Sequence, residues 1–140
     1  MRLKKVMATG LVAALALFTM VGCSSKKDSS DQKKIGVVQL VEHDALDASY
    51  KGFKDGLEKA GYKDGDKIKI EYKNAQNEQS NCQTIAKQFV TDKCDLVLAI
   101  ATPAAQAMAN ESKDIPILVT AVTDPADAKL VKSNKKPGTN

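Results

Sequence analysis

Three stretches of this chain, Ile35–Val41, Asp95–Ile100 and Ile115–Val119, are short, nearly continuous apolar runs rich in β-branched residues. An extended segment that is apolar on both sides must be covered on both sides, which is the condition of a strand inside a parallel sheet. A fourth run, Ile68, Ile70 and Tyr72, alternates with lysines and Glu71, so it is expected to carry one wet face and to lie near a sheet edge. Between the runs the apolar residues change to helical spacing. Tyr50, Phe53, Leu57 and Ala60 form one stripe, with Asp47 as the expected cap and Gly61 as the stop. Cys82, Ile85, Ala86, Phe89 and Val90 form a second stripe, in a helix expected to start at a Ser80 cap and to end at Thr91. Pro103 suits the first turn of a third helix, Ala104 to Glu111, and Pro125 the start of a short fourth, Ala126 to Val131. The reading is therefore an α/β fold, a doubly wound parallel sheet with helices on both faces and right-handed crossovers.

The first 22 residues read as an address. Arg2, Lys4 and Lys5 precede an apolar run from Val6 to Val21, the layout of a secretory signal peptide. The run is short for a membrane span, which needs about 20 apolar residues. Gly22-Cys23 closes it, and a small residue before a cysteine at this place resembles the lipobox of bacterial lipoproteins, with Met20 where leucine is usual. Cys23 is then the expected lipidation site. Residues 23–34, rich in Ser, Lys and Asp, are the expected flexible tether, because such side chains bury too little apolar surface to fold.

The leader also explains the charge. Lysine plus arginine number 21 against 17 acids, but removing the three leader cations leaves 18 against 17. No basic patch stands out beyond the leader, so no nucleic-acid partner is implied. Cys82 lies on the stripe of the second helix and Cys94 at the start of the strand that holds the Asp95–Ile100 run, so both read as small buried hydrophobes. A disulfide between them is the alternative in an oxidising compartment. With no CxxC and no Cys/His cluster, no metal site is expected. No dinucleotide fingerprint, phosphate-binding loop, nucleophile elbow or zinc-protease motif occurs, and no cofactor is implied.

Ligands of open parallel sheets bind beyond the carboxyl ends of the strands. Four loops qualify: Glu42-His43-Asp44-Ala45-Leu46, Asn74-Ala75-Gln76-Asn77, Ala101-Thr102-Pro103-Ala104-Ala105 and Ala121-Val122-Thr123-Asp124-Pro125. The third enters a helix through small, uncharged residues, so its free N–H groups and the helix dipole could take a carboxylate. Plain capping by Thr102 explains the same residues equally well. One histidine in the first loop, with no nucleophile beside it, points to ligand contact or loop structure and not to acid–base catalysis.

The stretches IGVVQLVEHDALDASYKGFKDGL, NAQNEQSN with IAKQFV after it, DLVLAIATPAAQAMA and PILVTAVTDPADAKLV together resemble the substrate-binding proteins of ABC importers, in the tryptophan/tyrosine-type, periplasmic-binding-protein-like family. The resemblance covers Lys33 to Asn140. It implies a clamp of two α/β lobes of periplasmic binding protein type I, with the ligand between them. Residues 35–132 correspond to the N-terminal lobe, and 133–140 to the start of a crossover to a second lobe that these 140 residues do not include. It implies an extracytoplasmic, lipid-anchored, monomeric binding protein and no enzyme. The expected ligand is a small metabolite, an amino acid of aromatic type foremost. The expected partners are a permease and, through it, a cytoplasmic ATPase. The matching cleft residues are Val41, Glu42, His43, Thr102, Pro103, Ala104, Thr123 and Asp124, with Asn74 and Gln76 matched less closely. The family usually has proline where Asp44 stands, which leaves the shape of the first loop open. A sugar-binding protein of the same fold and the ligand-sensing lobe of a surface receptor remain as alternatives.

Overall fold

The computed structural model describes residues 32–140, so the signal peptide, Cys23 and most of the expected tether lie outside the described residues. The chain forms β1 (Lys33–Gln39), α1 (Asp44–Lys59), β2 (Ile68–Asn74), α2 (Gln79–Thr91), β3 (Leu96–Ile100), α3 (Thr102–Glu111) and β4 (Ile117–Thr120). The strands make one sheet in the order β2-β1-β3-β4, and every pairing is parallel. This is the doubly wound architecture expected. The alternating strand, β2, is at an edge, as its wet face required.

Alternate residues of the central strands feed two separate cores. Ile35, Val37, Leu98 and Ile100 point to one face and pack with Ile68 beneath Leu46, Tyr50, Phe53 and Leu57 of α1. Val38, Val97 and Ala99 point to the other and pack with Cys82, Ile85, Ala86 and Phe89 of α2 and with Ala104, Ala105, Ala107 and Met108 of α3. Two helices thus share one face and α1 alone covers the other. Leu118 of β4, opposite Leu98, is left 47% exposed. Phe89 is fully buried at the centre of the two-helix face. A Cβ on Gly36 would lie 2.7 Å from the Phe89 ring, so glycine in the middle of β1 is what lets the ring sit on the sheet.

Several boundaries differ from the expectation. Lys33 and Lys34, expected in the tether, open β1: Lys33 pairs with Ile68, and the Lys34 N–H donates to the Asp95 carboxylate at 2.8 Å. The cap of α1 is His43 and not Asp47, because the helix starts a turn earlier and puts Asp47 inside it. Glu78, not Ser80, precedes α2, and Ser80 falls in its first turn. Residues 126–131 form turns and no fourth helix. Lys129 there adopts a left-handed φ of 60°, and Leu130 N–H bonds to the Pro125 carbonyl. Residues 133–140 fold back onto the domain: Asn140 donates to the Ser112 and Ile115 carbonyls and Thr139 to that of Leu130.

Cys82 and Cys94 are free and buried, as read from the stripe that holds Cys82 and from the place of Cys94 at the start of a strand. Burial pushes both thiols up, Cys94 to about 11, with Glu71 and Asp92 adding to the effect. Such thiols stay protonated and are poor nucleophiles.

Candidate functional site

Parallel register brings the strand ends into one row. Asn74 pairs with Gln39, Gln39 with Ile100, and Ile100 with Thr120. The four loops singled out by the topology therefore leave the sheet side by side. Backbone bonds stitch them together: Leu40 N–H to Ile100, Asn77 N–H to Leu40, and Ala101 N–H to Thr120. Val41, Glu42, His43, Asn74, Gln76, Thr102, Pro103, Ala104, Thr123 and Asp124 are thus all placed on this one end of the lobe.

Their roles are not equal. His43 Nδ1 accepts the Ala45 N–H at 3.2 Å and caps α1, which leaves the proton of the neutral ring on Nε2, at the exposed side of the loop. Glu42 is exposed, whereas Val41 is half-buried. Asn74 Oδ1 accepts the Gln76 N–H at 2.7 Å, so this side chain shapes its own loop. Thr102 lies inside α3 and does not cap it, because Ala101 takes the cap position with no side-chain bond to offer. That removes the capping explanation for Thr102 and leaves its half-buried hydroxyl at the helix mouth. Ala104 is fully buried, packed in the two-helix core. Its methyl serves packing, and what it can present at the helix mouth is a first-turn N–H. Asp124 Oδ1 accepts from the Ala126 N–H at 2.8 Å, the Asp127 N–H at 3.2 Å and Asn134 Nδ2 at 3.1 Å, while the neighbouring Thr123 is exposed.

Three of the four loops hold non-glycine residues in the left-handed region: Gln76 and Asn77 at φ 54° and 62°, Ala101 at 82° and Ala121 at 56°. Ala101, at φ 82° and ψ 154°, occupies a conformation almost reserved for glycine. It sits where β3 must turn at once into α3, and the bond to Thr120 helps hold it there. The sequence showed only a small residue at this position, and alanine gives no signal of a positive φ. Such strain costs about 1–3 kcal/mol, and the added backbone freedom of glycine returns about 0.5–1 kcal/mol of it. Ala101→Gly is therefore expected to stabilise the lobe by about 1 kcal/mol, a rise of about 4–8 °C in melting temperature for a domain near this size. A lower melting temperature in a calorimetric scan would refute the strain argument.

The carboxylates titrate low where backbone N–H groups or cations meet them. Asn134 and the Asp127 and Ala126 N–H groups hold Asp124 below the usual range. The Lys34 N–H, then the Lys33 ammonium at 3.0 Å, do the same for Asp95. A depressed folded-state pKa contributes stability that is present above the unfolded value, about 3.9, and lost as pH falls through the folded value. Urea midpoints are expected to be level from about pH 5 to neutrality and to fall below about pH 4. Midpoints that rise on acidification would contradict it.

A groove of about 430 Å³ lies elsewhere, beside β4, between Ile117, Leu118 and Val119 and the segment around Pro125, Val131 and Pro137. Among the described residues there is no cluster of acid, cysteine and histidine side chains fit to hold a metal ion. Also among them, no helix is long and apolar enough to cross a membrane.

The family model described as ABC transporter substrate binding protein matches residues 34–140. A tyrosine-binding protein of Clostridioides difficile is 51% identical over 98% of this chain, which spans 43% of that relative's length. The ligand-free, open structure of a substrate-binding protein with adhesive properties from Clostridium difficile superposes with a TM-score of 0.76 at 59% identity, over 76% of this chain and 36% of that one. An ABC domain in complex with L-Trp from Streptococcus pneumoniae superposes with a TM-score of 0.75 at 51% identity, over 78% of this chain and 37% of that one.

Proposed function

Because the chain belongs to the family of ABC transporter substrate-binding proteins, we propose that residues 33–140 supply one wall of a clamp for an aromatic amino acid, tyrosine or tryptophan. The observation that carries this is the single row of strand ends, with an exposed Glu42–His43 loop at one position and the mouth of α3 at another. A free amino acid offers an ammonium and a carboxylate. Glu42 provides a negative charge for the first, and the N-terminus of α3, with the Thr102 hydroxyl, provides donors for the second. The names of the relatives, a tyrosine-binding protein and an L-Trp complex, favour an aromatic side chain.

The remaining parts of the reading follow the family's logic. The matched relatives are more than twice as long as this chain, which leaves room in them for a second wall. A second wall that closes over the ligand excludes water, and closure is driven by the ligand's preference for the closed state. The protein acts as a monomer outside the cytoplasmic membrane, without catalysis. It delivers its ligand to a permease that a cytoplasmic ATPase drives. Residues 1–22 are its signal peptide and Cys23 its lipid anchor. A lipid attached to Cys23 is read by the mass of the N-terminal peptide from native cells.

The binding reading is tested by NMR titration of residues 24–140 with L-tyrosine, L-tryptophan and glucose. Amide resonances of the 41–43, 74–77, 101–104 and 121–124 loops are expected to move with the amino acids and to stay with glucose. Movement with glucose alone would establish the sugar-binding alternative.

A further inference from the structure

Gln39 is the last residue of β1 and the one fully buried side chain there that is not apolar. It points to the face covered by α1, in line with Ile35 and Val37. Its Nε2 uses both hydrogens. One goes to the Val41 carbonyl at 2.9 Å, and the other to Asp47 Oδ1, on α1, at 2.6 Å. Its Oε1 is buried without a hydrogen-bond partner, the only such side-chain atom among the described residues. The amide cannot turn to relieve this, because Oε1 would then face the Asp47 carboxylate. A buried acceptor without a donor costs stability, and an apolar residue of the same shape would avoid that cost. Stability alone therefore does not account for an amide at this place. What the amide supplies is a cross-link: it ties the loop that carries Glu42 and His43 both to the end of the central strand and to the helix that follows.

We propose that Gln39, with Asp47, is a positioning residue for the first ligand-facing loop. It sets where Glu42 and the Nε2 of His43 stand, without touching the ligand. The cap made by His43 fixes the loop at its helix end, and the Gln39 amide fixes it at Val41. The proposal rests on the reading of this loop as part of a binding site, and two readouts separate its failure from the failure of that reading.

The experiment compares the full chain with Gln39→Met, which keeps the size and removes the donors. L-tryptophan affinity and the resonances of the ligand-free 41–43 amides are both read by NMR. Gln39→Met is expected to keep the melting temperature within a few degrees and to weaken binding about tenfold. It is also expected to shift or broaden the Val41–His43 amides while leaving those of 102–104 and 123–124 in place. Unchanged affinity with unchanged 41–43 resonances would make Gln39 a packing residue and overturn the proposal. If the parent chain binds no amino acid, the ligand reading falls, and the 41–43 amides of the two proteins alone decide whether Gln39 holds the loop. If Gln39→Met does not fold, Asp47→Ala and Asp47→Asn replace it. Asparagine still accepts from the Gln39 amide and is expected to restore the loop resonances that alanine loses, whereas equal behaviour of the two would overturn the proposal.

Discussion

Phe89→Ala is expected to destabilise the domain by about 3–5 kcal/mol, enough to leave much of the protein unfolded at 37 °C if its stability is at the lower end of the usual 5–15 kcal/mol. Phe89 is fully buried and lies where α2 meets the sheet, against Gly36 on β1 and among Cys82, Ile85, Ala86 and Val97. Truncation removes the ring's transfer energy and opens a cavity that the flat backbone at Gly36 cannot fill. The reciprocal change, Gly36→Ala, adds a methyl 2.7 Å from the ring carbon Cδ2. It is expected to cost about 1–3 kcal/mol through overpacking. Because the two positions touch, the double variant Gly36→Ala with Phe89→Leu should cost less than the two single changes summed. Urea denaturation of Phe89→Ala, Gly36→Ala, Phe89→Leu and the double variant measures this. A loss below about 1 kcal/mol for Phe89→Ala would mean that α2 repacks on the sheet and that the close approach is not what organises this face.

Residues 24–140 are expected to bind L-tyrosine and L-tryptophan with Kd in the high micromolar range or weaker, about −5 kcal/mol or less favourable. Tight pockets bury most of a ligand's surface, and in the proposed clamp the strand-end rim of this domain is one wall. Glu42, His43, Gln76 and Thr123 along it are exposed. Exposed charges interact weakly, because water screens the Glu42 carboxylate and competes for every donor at the mouth of α3. Isothermal calorimetry decides the matter. Submicromolar affinity would show that one lobe encloses the ligand and would sink the clamp mechanism, whereas weak binding that maps to the four loops supports it.

Much of this structure was legible because its signals are local or periodic. The run that alternates places β2 at an edge and two unbroken apolar runs place β1 and β3 inside, whereas the third unbroken run, expected to be covered on both faces, is the other edge strand, β4, with Leu118 and Val119 exposed. The stripe from Cys82 to Phe89 foretells both the buried face of α2 and the buried Cys82 thiol. Helix starts were harder, since Asp47, His43 and Asp44 all suit a helix N-terminus and sequence does not say which is first. The helix expected at 126–131 fails for a tertiary reason: Asp124 and Asn134 pin the segment into turns, a contact between residues ten apart. Gln39 did leave a trace, an amide inside an otherwise apolar strand run, but its meaning depends on Asp47 standing opposite, which only the packing of α1 brings about.

What the sequence determined by itself is the layer architecture. Burial on both faces requires parallel strands with helical crossovers, and that topology puts the four loops at one end of the sheet. What the tertiary structure decided is the work of each loop residue. Asp124 is spent on shaping a turn, Ala104 on the core and His43 Nδ1 on a helix cap, while Thr102 keeps its hydroxyl at the mouth of α3. The physical reason is that secondary structure follows from the period of a side-chain pattern, which is written along the chain. A hydrogen-bond donor or acceptor finds its partner across space, and the identity of that partner exists only once the strands are in register.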